Sequence, residues 1–128
     1  MTGLCLFVAV VHYPLMARVG REAWTEYERL HTARTGVVVA PLMLVEAGSA
    51  AWLTLAKAGE VADAGAWWWA NLVGLGVVWG ITFLVNVPQH QRLTLGWDAP
   101  THRALVATHA VRTVVWAARG GLLLWLSA

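Results

Sequence analysis

The sequence predicts an all-α fold: a bundle of four membrane-spanning helices forming one domain. Three observations carry that expectation. Apolar residues make up 59% of the 128-residue chain and charged residues only 12%, whereas a soluble domain usually carries about 25% charge. The apolar residues gather into four segments with short polar connections, and each segment is about long enough to cross a hydrocarbon core of about 30 Å as a helix. Nine tryptophans are many for this length, and the boundary between lipid and water favours tryptophan. Backbone groups cannot stay unpaired in lipid, so the spans are expected to be helices.

The first segment is about Thr2–Arg18. It has no basic n-region and no small-x-small cleavage site, so it reads as a membrane helix rather than a signal peptide. Gly20–Leu30 is charged and free of proline, and a short amphipathic surface helix is expected over about residues 21–30. The second span is expected over about 32–56, with Pro41 inside it freeing the carbonyl of Val37. Lys57–Gly65 is a small, slightly acidic connection. The third span is expected over about 66–93, opening on Trp67, Trp68 and Trp69 at a lipid–water interface, with Trp52 and Trp125 near the same level. Thr94–Thr101 contains Gly96 and Pro100, a turn signature. Asp98 or Thr101 is placed to cap the fourth span, about 102–126.

Arginine placement predicts orientation. Arg18, Arg21, Arg29, Arg34, Arg92 and Arg103 lie in or beside the first and third connections, while the second holds only Lys57. The positive-inside rule then puts the first and third connections in the cytoplasm and both termini outside. The net charge of +2 is small and scattered, which argues against a nucleic-acid partner. Cys5 is the only cysteine, so no intrachain disulfide and no cysteine-based metal motif exists.

Ionisable groups at bilayer depth cost about 2.5–3.5 kcal/mol each or more, so they are the first candidates for function. On the fourth helix His102, His109, Arg112, Trp116 and Arg119 fall within about 100° of arc and should face inward. The second helix carries His31, Arg34 and Glu46; His31 and Glu46 are about 22 Å apart along the axis and so need different partners. Asn86 and His90 sit one turn apart beside Pro88, and the first helix offers His12 and Tyr13 before Pro14. His12, Asn86, His90 and His109 are expected to meet at one level in the cytoplasmic half. Glu46 lies deeper, where a pair with Arg112 or Arg119 would keep it ionised; the alternative is a neutral, protonated Glu46.

These residues also form recognisable strings. His12-Tyr13-Pro14-Leu15, His31-x-x-Arg34 followed by Pro41-Leu42-Met43-Leu44-x-Glu46, Asn86-x-Pro88-x-His90-Gln91-x-Leu93-x-x-Gly96, and Arg112-Thr113-x-x-Trp116-x-x-Arg119 stand in that order. Together they resemble a group of small four-helix bacterial integral membrane proteins of unknown function, from about His12 to Leu124. More distantly the chain is similar to the anthrone oxygenase-like membrane family. Position 109 departs from the group's pattern, with His in place of Asn. The close group implies a bacterial plasma-membrane protein and no activity. The distant one implies oxygenation of a polycyclic aromatic without a known metal or flavin.

Three readings of the polar set follow. As an enzyme, His12 or His90 would be the general base, Arg112 and Asn86 would stabilise an anion, and His109 would join them. The remaining residues, His31, Arg34, Glu46, Trp116 and Arg119, would bind the substrate. That substrate would be a lipophilic quinone-like or polycyclic small molecule, and the reaction an oxidoreduction or isomerisation. As a haem or transition-metal protein, His12, His90 and His109 with His31 or Glu46 would be the ligands, although no His-x-x-x-His or His-Glu-x-x-His spacing occurs. As a non-enzymatic subunit of a larger membrane complex or a homo-oligomer, the polar groups would be interhelical glue, with Gly76-x-x-x-Gly80 a close-approach pattern.

Overall fold

The computed structural model describes residues 1–57 and 65–128. Most of the second connection, residues 58–64, lies outside the described residues. The described chain is all-helical, with four helices: α1 Thr2–Met16, α2 Trp24–Lys57, α3 Gly65–Leu93 and α4 Ala99–Leu126. Two of them, α2 and α3, are long and apolar enough to cross a membrane. The shorter α1 is also apolar, and α4 is broken up by Arg103, Arg112 and Arg119. No strand occurs among the described residues.

The expected surface helix at 21–30 is not a separate element. The chain makes only turns at 21–23, and Trp24 begins a continuous 34-residue helix that runs through Pro41. Burial explains why. Trp24 and Glu28 are fully buried, so this stretch packs under the bundle instead of lying on a surface. The Trp24 indole N–H donates at 2.8 Å to the Leu93 carbonyl, which also accepts from the Gly96 N–H at 3.2 Å. It thereby ties the start of α2 to the end of α3.

Two helices contain one wide turn each. In α1 the Tyr13 N–H bonds the Val8 carbonyl, and in α3 the Val87 N–H bonds that of Thr82, both five residues back. Pro14 and Pro88 follow immediately. A proline ring collides with the carbonyl four residues earlier and offers it no N–H, and a π turn opens the helix there. The extra residue rotates every later side chain by about 100° relative to an uninterrupted helix. His12 and Asn86 sit at the ends of these turns.

The turn into α4 follows the sequence closely. Gly96 has φ +150°, a conformation that disfavours side chains. Asp98 is the N-cap: its carboxylate accepts from the Thr101 N–H at 3.2 Å and from the Thr101 hydroxyl, with Pro100 in the first turn. These bonds, the hydroxyl first, hold the Asp98 carboxyl below its ordinary value of 3.8. A depressed carboxylate stabilises the fold above its unfolded value and loses that contribution as pH falls through the folded one. Asp98→Ala is therefore expected to lower the thermal midpoint at pH 7, and the gap from the parent should close below about pH 4. A gap independent of pH in parallel melts would contradict this account.

Two apolar clusters fill the bundle. One lies at the end carrying connections 17–23 and 94–98, around Tyr13, Met16, Trp24, Leu93 and Leu105. The other lies further in, around Cys5, Met43, Val78 and Trp116. Of the tryptophan triplet, Trp67 and Trp69 are exposed, whereas Trp68 turns inward and its carbonyl accepts from the buried Thr54 hydroxyl.

Candidate functional site

The polar residues separate into two networks and a smaller set of contacts around His109. The deeper network joins α2, α3 and α4. Glu46 accepts from the Arg119 guanidinium at 2.7 Å and from the Trp116 indole N–H at 2.9 Å to each oxygen. Arg119 Nε donates to the Asn71 carbonyl at 3.1 Å. Gly74 makes room for this arginine, since a Cβ there would stand 3.0 Å from Arg119 Cδ. Of the two partners expected for Glu46, the structure selects Arg119. Arg112 lies nearly two turns earlier and has other partners.

The second network joins α1, α2 and α3 nearer the basic end. His90 Nδ1 lies 2.6 Å from Glu28 Oε1, and Glu28 is completely buried. A carboxylate can only accept, so Nδ1 carries the proton. His90 Nε2 is left to face the Tyr13 hydroxyl at 3.4 Å. Beside this pair His12 and His31 share a hydrogen bond of 3.0 Å and stack with ring centroids 4.5 Å apart, while Thr35 lies 3.2 Å from His31 Nδ1. The His31 and His90 rings are 5.4 Å apart.

His109 belongs to a third set of contacts that fixes its chemistry. Its Nε2 lies 3.0 Å from the Cys5 carbonyl, which only accepts, and its Nδ1 lies 2.8 Å from an Arg112 nitrogen, which only donates. The imidazole is therefore a neutral Nε2–H tautomer with both nitrogens occupied. It can be neither a base nor a ligand without breaking a buried bond. Arg112 also donates to the Thr82 hydroxyl at 3.0 Å and lies 5.3 Å over the Trp116 ring.

The second network and the His109–Arg112 contacts border a cavity of about 540 Å³ between the four helices. Its walls are largely apolar, with Val39, Met43, Leu44 and Phe83 among them. Tyr13, His31, Thr82, Asn86, His90, His109 and Arg112 are among its polar residues. Size and character match a small-molecule site, for which about 300–1,000 Å³ is usual.

The structure thus brings His12, His31, Asn86, His90, His109 and Arg112 into one region, and it separates others from it. Glu46, Trp116 and Arg119 bond one another and do not line the cavity. Arg34, expected to bind substrate, is exposed and joins neither network. Asn86 lines the cavity, but its amide N–H group is committed to the Thr108 hydroxyl at 2.7 Å and to Gln89 at 3.1 Å. Its oxygen is buried without a partner among the described residues, so it offers an acceptor and not the expected anion-stabilising donor. Among the described residues no three His, Cys, Asp or Glu side chains stand where they could hold a metal ion.

Glu28 and Tyr13 are the two members that sequence reasoning left out of the site. Glu28 was legible in principle: Glu28, His31 and Thr35 follow the i, i+3, i+7 spacing of one helix face. Assigning residues 21–30 to a separate surface helix hides that face. Tyr13 lies beside His12 in the sequence, but only the position of His90 reveals its use.

No protein-family model, curated protein or solved structure matches the chain. The functional reading therefore rests on this geometry.

Proposed function

We propose that the chain is a multi-pass membrane protein that catalyses proton transfer on a lipophilic small molecule, in the manner of an isomerase. The observation that carries the reading is the Glu28–His90–Tyr13 line, whose last two members open onto an apolar cavity. Glu28 holds His90 with Nδ1 protonated and so directs the Nε2 lone pair toward the cavity, the same logic by which a buried carboxylate orients a catalytic histidine. Nε2 takes a proton from a carbon beside a substrate carbonyl. The Glu28 carboxylate stabilises the imidazolium that forms. The imidazolium exchanges its proton with solvent, and a proton is then delivered from Nε2, or from the Tyr13 hydroxyl with Nε2 reprotonating it, to a different carbon, so atoms and charge balance with no co-reactant.

Membrane insertion is supported by the two long apolar helices and by exposed Val37, Val45, Leu55, Val73 and Leu84, which face outward from them. The arginine distribution favours a plasma-membrane orientation with connections 17–23 and 94–98 in the cytoplasm. A lipophilic substrate would then reach the cavity from the bilayer.

The test is solvent deuterium incorporation into lipophilic unsaturated ketones by the liposome-reconstituted protein. Incorporation that is lost in His90→Ala is expected. Equal incorporation by parent and variant would remove His90 as the base.

A further inference from the structure

Arg112 is the one Arg, Lys, Asp or Glu side chain among the described residues lining the cavity. Neither Glu28 nor Glu46 reaches it. Glu28 stands behind His90, and Glu46 is taken by Arg119 and Trp116. The partners that Arg112 does have, the Thr82 hydroxyl and His109 Nδ1, are neutral. Among the described residues no carboxylate pairs with it. A guanidinium carries five N–H donors; two are used here, and the buried Nε is one of those left without a partner. A cation this poorly compensated in an apolar space is costly unless something neutralises it.

We infer that the cavity takes an apolar ligand bearing one anionic group of the carboxylate type, and that Arg112 binds this group. The inference rests on the cavity being a ligand site, as the proposed function requires, and it names the ligand's chemical class. Trp116 covers one side of the guanidinium, while Thr82 and His109 hold two of its nitrogens, so the planar fork is fixed in place before the ligand arrives. A fixed fork suits the two oxygens of a carboxylate. The apolar part of the ligand lies along Val39, Met43 and Phe83. Depth separates a free acid from a bilayer lipid. Arg112 lies 13 residues into α4, about 20 Å from its start, too deep for the headgroup of a lipid that stays in its leaflet.

The experiment measures binding of decanoate, decanol and decylamine to the full chain in phosphatidylcholine nanodiscs by calorimetry, with empty nanodiscs as reference. The parent protein should bind decanoate roughly ten- to a hundredfold more tightly than decanol, the range expected of a charge-assisted contact, and decylamine least. Arg112→Gln should abolish the preference for decanoate. Arg112→Lys should keep part of it, as a point charge without the fork, and guards against a folding defect in the glutamine variant. Equal affinity for decanoate and decanol, or a preference that survives Arg112→Gln, overturns the anion site and leaves the cavity as a ligand site. Binding of all three no better than to empty discs overturns both.

Discussion

Glu46→Leu is expected to destabilise the folded protein by about 3–5 kcal/mol, the usual cost of removing one partner from a buried ion pair. It should cost more than Arg119→Met, and the reason lies in what each change leaves behind. Arg119 is 5% exposed and Glu46 is 22% exposed. Without Glu46, the protein keeps a buried cation that cannot lose its proton. Without Arg119, the remaining carboxylate keeps the Trp116 indole bond and can take up a proton. The double variant Glu46→Leu with Arg119→Met should recover much of the loss, because an apolar pair can replace an ionic one at little net cost. Unfolding in a denaturant series, on detergent-solubilised protein, measures all four corners of the cycle. Additive losses, or a smaller loss for Glu46→Leu than for Arg119→Met, would show that the pair does not hold α2 to α4.

Glu28→Gln is the second large effect, and it separates orientation from chemistry. His90→Ala removes the proposed base outright and should slow proton transfer by about 10²–10⁴-fold, the range for general-base catalysis. Glu28→Gln leaves the imidazole in place but replaces a pure acceptor by an amide that can also donate. His90 can then turn its lone pair toward the amide, and the proton moves to the nitrogen facing Tyr13. Turnover should fall by about 10²-fold or more, with the apparent affinity for substrate little changed, since Glu28 does not line the cavity. Nitrogen-15 spectra of the histidines give a readout independent of turnover. The parent should show His90 protonated at Nδ1 and His109 protonated at Nε2, and only the His90 pattern should change in Glu28→Gln. A His90 spectrum indifferent to Glu28 would mean that the buried carboxylate plays no orienting part.

Tertiary contacts give different meanings to residues that look alike in the sequence. Arg112 and Arg119 lie on one face of one helix, both expected to face inward. One closes an ion pair with Glu46, and the other meets only neutral groups and an open space. The histidines divide in the same way. His109 has both nitrogens engaged by groups that fix its tautomer, while His90 keeps one nitrogen toward the cavity. A rule that ranks candidates by residue type and helix face puts these residues together. Their hydrogen-bond partners set them apart.

What the sequence by itself determined is the helical architecture and the inward face of α4. Hydropathy is a property of each residue summed over its neighbours, so four apolar segments announce four helices without any contact being known. The cap at Asp98 and the glycine turn at Gly96 are equally local. Tertiary structure alone decided that Glu28 is buried, that Glu46 takes Arg119 over Arg112, and that a cavity separates the helices beside His90 and Arg112. Each of these depends on the rotation and depth of one helix against another. A single wide turn before a proline shifts that rotation by about 100°, enough to move a side chain from one neighbour to the next while leaving the hydropathy of the segment unchanged.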